Sequence, residues 1–177
     1  MRTTLNQIRA HLPCRDGWEK LLRHLDKSAA DDEPLLIETI LDANGLDDAL
    51  WCLRAVDGQE RGTRLYAVWC ARRVQHLTSD LRSVSALNVA ERYARGRATG
   101  EELVAARKAA EAAAWSAAAR AAAAWSAAAW SAAALGAAAW SAAAAGEKEK
   151  AAQAKELRRI CREIEAGRDP YPEENGR

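Results

Sequence analysis

The stretch AAAWSAAARAAAAWSAAAWSAAALGAAAWSAAAA, residues 112–145, decides the fold class, because 23 of its 34 residues are alanine. Alanine gives up no side-chain freedom on entering a helix and is the strongest helix former. The other residues keep a five-residue frame: Trp115-Ser116, Arg120, Trp125-Ser126, Trp130-Ser131, Leu135-Gly136 and Trp140-Ser141. At ~100° per residue, each step of five advances ~140° around a helix. Trp115, Trp125, Trp130 and Trp140 therefore share an arc of ~140°, while Arg120 and Leu135 point the other way. The expected object is an alanine rod with an aromatic ridge. Packed against other helices the ridge is core; left exposed, it is a partner-binding surface. It holds no catalytic groups in either case.

Working outward, Thr99-Gly100-Glu101-Glu102 opens this helix with an N-cap threonine, a glutamate three residues on, and negative charge on the first turn. No strong stop follows before Gly146. About 46 unbroken helical residues would reach roughly 69 Å, so either one long helix or a hairpin bent near Gly136 fits. Glu147-Lys148-Glu149-Lys150 then starts an amphipathic helix through Leu157, Ile160, Cys161 and Ile164, closed by Gly167. Residues 168–177, with two prolines, read as a flexible tail.

Upstream the helix signals are equally dense, and no alternating strand stands out. Thr3 or Thr4 caps a short helix carrying Leu5, Ile8 and Leu12, which Pro13 ends. Asp16 and Glu19 form a capping-box-like start for a helix with Trp18, Leu21, Leu22 and Leu25. Pro34 sits in a first turn before Leu36, Ile37, Ile40 and Leu41; Asn44-Gly45 stops that helix and Asp47 starts the next. The segments 49–56 and 67–74 both follow Ala-φ-Trp-Cys-x-Arg-x-Val, where φ is an apolar residue, across a Gly58 to Gly62 turn. That match predicts two similar helices in a hairpin, each burying Trp and Val. A further helix runs from Asp80 through Leu87, Val89 and Tyr93 to Arg95-Gly96. The fold expected is all-α: an N-terminal helical bundle or solenoid-like array over 1–98, the Ala/Trp-rich tract over 99–146, the amphipathic helix over 147–167, and the tail.

With 26 basic and 25 acidic residues, balanced also within each of these parts, the chain lacks the one-signed field of a nucleic-acid binder. Residues 121–145 are uncharged, yet one leucine among alanines, serines and glycines is too little to drive membrane insertion. Four scattered cysteines without CxxC spacing fit a reducing, cytoplasmic setting. His11, Cys14 and His24 match no common zinc spacing. The acidic groups Asp31-Asp32-Glu33 and Asp42, Asp47-Asp48 lack the EF-hand ligand order; Asp31 and Asp47 have helix caps to make, and the same loops could grip a basic partner. No nucleophile-elbow, metalloprotease, P-loop or dinucleotide motif occurs, so no enzyme activity, cofactor or metal is expected. Candidate partner-binding residues are Trp115, Trp125, Trp130, Trp140, Asp31, Asp32, Asp47 and Asp48.

Three segments carry a resemblance. They are Ile40 to Val56 (ILDANGLDDALWCLRAV), Arg64 to Arg72 (RLYAVWCAR), and Ser83 to Gly96 (SVSALNVAERYARG) followed by Thr99-Gly100-Glu101-Glu102-Leu103 opening into the alanine-rich tract. In this order they resemble a family of bacterial and phage immunity proteins of the immunity-protein-five-like type, over roughly residues 30–165. The resemblance implies a small cytoplasmic protein that blocks a toxin by stoichiometric protein–protein binding, and it supplies no catalytic residue. A phage-encoded anti-defence protein bound to a bacterial immune complex is the alternative within the same class. A module that self-associates through the ridge, giving a homo-oligomer, is the alternative outside it.

Overall fold

The Thr4 hydroxyl accepts the Gln7 N–H at 3.1 Å and so starts α1, Leu5–Ala10. The computed structural model describes residues 1–77, 81–113 and 146–173 and is all-α. After α1 come α2 (Arg15–His24), α3 (Ile37–Asn44), α4 (Leu46–Cys52), α5 (Glu60–Arg73), α6 (Leu81–Ala94), α7 (Gly100–Ala113) and α8 (Glu147–Glu165). The ridge tryptophans Trp115, Trp125, Trp130 and Trp140, the bend at Gly136, the start at Asp80 and the last four residues lie outside the described residues. The described chain packs as two units, Met1–Gln59 with Ala154–Arg177, and Glu60–Gln153. This partition does not follow the shift in composition near residue 98.

In the first unit, α1 stops earlier than its apolar spacing predicts. Leu12 lies beyond the helix at φ 57°, 86% exposed, so only Leu5 and Ile8 of the expected face are buried. Cys14, not Asp16, caps α2: its Sγ accepts the Gly17 N–H at 3.4 Å. Pro34 precedes a two-residue strand, β2 (Leu35–Leu36), instead of a helical turn. It pairs antiparallel with β1 (Arg2–Thr3), Arg2 opposite Leu36 and Thr3 opposite Leu35. Strands this short show no alternation in sequence. They are fixed by the buried Thr3 hydroxyl, which donates to the Ala55 carbonyl at 2.6 Å, and by the Ile37 N–H, which donates to the Met1 carbonyl at 3.1 Å.

Gly45, at φ 96°, joins α3 to α4, a backbone angle that side chains disfavour. Residues 154–165 of α8 run antiparallel to α3, since Arg158 pairs with Asp42 and Arg162 with Glu38, each pair member four residues from the next. Beneath these ions Leu157, Ile160 and Cys161 are buried, as are Ile37, Ile40 and Leu41 of α3. The tail is tied down as far as Tyr171. Pro170 is buried and its carbonyl accepts from Arg159 at 3.0 Å, while the Tyr171 hydroxyl donates to Glu156 at 3.1 Å.

In the second unit, α5, α6 and α7 pack in succession, joined by the start of α8. The capping box reads as expected: Glu102 N–H donates to Thr99 Oγ1 at 3.2 Å, and Thr99 N–H to Glu102 Oε2 at 2.7 Å. Ala86, Ala90 and Ala94 make a buried small-residue stripe along α6, against which Leu103, Ala106 and Ala110 of α7 fit closely. The buried Tyr66 hydroxyl donates to the Gln153 carbonyl at 3.1 Å, and Arg73 pairs with the mostly buried Glu149 at 2.6 Å.

The two Trp-Cys copies fall in separate units. The first breaks at Cys52 into a 3-10 turn, Leu53–Ala55, where Arg54 Nε donates to the Trp51 carbonyl at 2.8 Å; the second stays inside α5 until Arg73. In both, the cysteine and valine are buried and the tryptophan is only half-buried, with an arginine over its ring: Arg54 at 4.3 Å from Trp51 and Arg73 at 5.1 Å from Trp69. Burial therefore falls on the small thiol, and the indole pairs with a cation at the surface.

Candidate functional site

The first unit encloses a cavity of about 100 Å³ where the start of α2 meets α3 and α4. Its floor is Ile8, Leu21, Ile40 and Cys52, and Trp18 and Trp51 form walls. Cys14 is exposed and both indoles are half-buried, so the cavity opens at the surface.

Its polarity comes from one network. Asn44 Nδ2 donates to the Gly17 carbonyl at 2.8 Å and to Asp48 Oδ2 at 2.7 Å. These two acceptors fix the amide orientation, because the reversed amide would set oxygen against oxygen. Asn44 Oδ1 is then buried and accepts no hydrogen bond. Among the described residues Asp48 makes no ion pair, and its Oδ1 has no hydrogen-bond partner. The cavity thus has apolar walls and one carboxylate, that of Asp48, with both Asn44 amide N–H groups already committed.

Of the described residues read from sequence as partner contacts, Asp48 alone lines this cavity. Asp47 is exposed on the first turn of α4, where a carboxylate favours the helix N-terminus, and it makes no side-chain cap. Asp31 is no cap either: it holds its own loop, accepting from Lys27 at 2.5 Å and from the Glu33 N–H at 3.1 Å, and Asp32 is exposed beside it. The Lys27 ammonium keeps the Asp31 carboxyl below its ordinary range. Trp115, Trp125, Trp130 and Trp140 are outside the described residues.

Sequence reasoning missed Asn44, Gly17, Trp18 and Trp51 as a group. Asn44 carried a signal, but it read as a helix stop. Gly17, a glycine in a first helical turn, was the other signal.

Trp18 and Pro13 are shared with a second, shallower hollow of about 510 Å³, lined also by Arg9, Leu12, Arg15 and Leu22. The exposed Leu12 stands at its edge. Cavity, shared indole and leucine form one continuous face.

Burial, then the Asp48 charge, pushes the Cys52 thiol up to about 12, so it stays protonated and a poor nucleophile. Among the described residues no three His, Cys, Asp or Glu side chains gather as metal ligands, and no helix is long and apolar enough to cross a membrane. Comparison with known proteins finds no matching family model, no significantly similar curated protein and no significantly similar solved structure.

Proposed function

We propose that the protein acts by stoichiometric binding to another protein, as an immunity-like inhibitor that neutralises a toxin in the cytoplasm. The observation that carries the binding role is Leu12. A leucine in the left-handed region costs about 1–2 kcal/mol, and a side chain 86% exposed recovers none of that by burial in its own fold. A partner that covers Leu12 and the half-buried Trp18 would recover it, and tryptophans in such settings dominate binding energy. The toxin-directed part of the reading rests on the resemblance carried by residues 40–56, 64–72 and 83–103.

Co-expression with the products of the adjoining genes tests the reading. A 1:1 complex and restored growth are expected for one of them, with Leu12→Asp abolishing both. Unrelieved growth inhibition, with the chain eluting alone, would contradict it.

A further inference from the structure

We propose that the cavity between Trp18 and Trp51 receives a lysine side chain of the protein partner, its ammonium paired with Asp48. This rests on the protein-binding reading and names what the partner must present.

Charge is the first argument. The Asp48 carboxylate lines an apolar cavity and has no counter-ion among the described residues. A carboxylate on a largely apolar lining selects a cation over an anion. The Trp18 and Trp51 rings beside the carboxylate give the methylene stem an apolar path.

Shape and hydrogen-bond capacity choose lysine over arginine. At about 100 Å³ the space is smaller than the ~150 Å³ cavity that takes a benzene ring, so an unbranched methylene chain fits better than a ring. Arginine recognition gains most from two parallel bonds to both carboxylate oxygens. Asp48 Oδ2 is already held by Asn44 at 2.7 Å, which leaves one oxygen for the ligand. A single oxygen suits an ammonium, and a guanidinium would leave several N–H groups against Ile8, Leu21 and Ile40. The apolar stem enters beside Cys14 and lies along Trp18 and Trp51, with the ammonium ahead of it on Asp48.

The probe is Nα-acetyl-lysine N-methylamide, titrated into the full chain while the indole N–H resonances of Trp18 and Trp51 are followed. The matching norleucine and arginine amides serve as comparisons. The lysine amide should bind with a Kd on the order of millimolar, at least ~10-fold tighter than either comparison. Asp48→Asn, which keeps the shape, should erase the difference between lysine and norleucine while norleucine still binds as before. Equal binding of lysine and norleucine amides, or no effect of Asp48→Asn, would overturn the lysine slot and leave the growth-rescue result standing. A slot that behaves as expected in a chain that forms no protein complex would overturn the protein-binding reading instead.

Discussion

A β-carbon placed on Gly17 would lie 2.7 Å from Asp48 Oδ2 and 3.1 Å from Cys14 Sγ, so the start of α2 rests directly on the side chain that closes the cavity. Gly17→Ala would gain up to ~1 kcal/mol of helix propensity, but relieving such a contact costs about 1–3 kcal/mol. The clash should win. Urea denaturation is expected to show a net loss of roughly 1 kcal/mol, and the lysine amide should bind more weakly because Asp48 must turn away from Asn44. A more stable variant would mean that Asp48 moves freely.

Along α8 two kinds of contact compete to explain its docking on α3. The pairs Arg158–Asp42 and Arg162–Glu38 are solvent-exposed on at least one side, and such pairs contribute about 0–1 kcal/mol each. Leu157 and Ile160 are fully buried, and truncating either should cost about 2–5 kcal/mol. Asp42→Ala is therefore expected to shift the denaturation midpoint slightly and Ile160→Ala severely. Equal shifts would show that the ions carry the contact.

How much of this was legible in the sequence depends on how local each cause is. The Thr99–Glu102 capping box was readable because both partners lie within one turn. Leu12 fitted an apolar spacing, yet the chain turns left-handed before Pro13, and periodicity does not register a single backbone angle. The Trp-Cys copies were visible as a pattern, but which residue goes inside depended on where Arg54 and Arg73 reach. The cavity was not legible, because Ile8, Gly17, Asn44 and Trp51 come from four helices that meet only in the fold. Asn44 read correctly as a helix end, and its amide has a second use that no linear signal marks.

Acid should loosen the first unit at Glu165. The Arg2 guanidinium, then the N-terminal ammonium, hold its carboxyl at about 2, below the ordinary 4.5. A lowered carboxylate contributes stability that is whole above ~4.5 and is lost as pH falls towards ~2. Thermal melting is expected to drop across that window in the native chain, and Glu165→Gln should flatten the drop.

The four thiols should separate by exposure. Cys14 is exposed, whereas Cys52, Cys70 and Cys161 are buried, and burial pushes Cys52 and Cys161 up to about 12. Mass spectrometry after brief maleimide treatment at pH 8 should find the label on Cys14 and not on these buried thiols. The bulky adduct at the mouth of the cavity should then block the lysine amide. Fast labelling of Cys52 would mean that the cavity opens far more widely than its walls suggest.

The proposed contact face is made by Leu12, Trp18 and the cavity behind them. Calorimetry of the complex with its partner tests this most directly, using Leu12→Asp and Trp18→Ala variants of unchanged melting temperature. The predicted result is at least ~30-fold weaker binding for each, as for residues that dominate an interface, with Asp32→Ala within about twofold of the native chain. Native-like affinity for both Leu12→Asp and Trp18→Ala would contradict it.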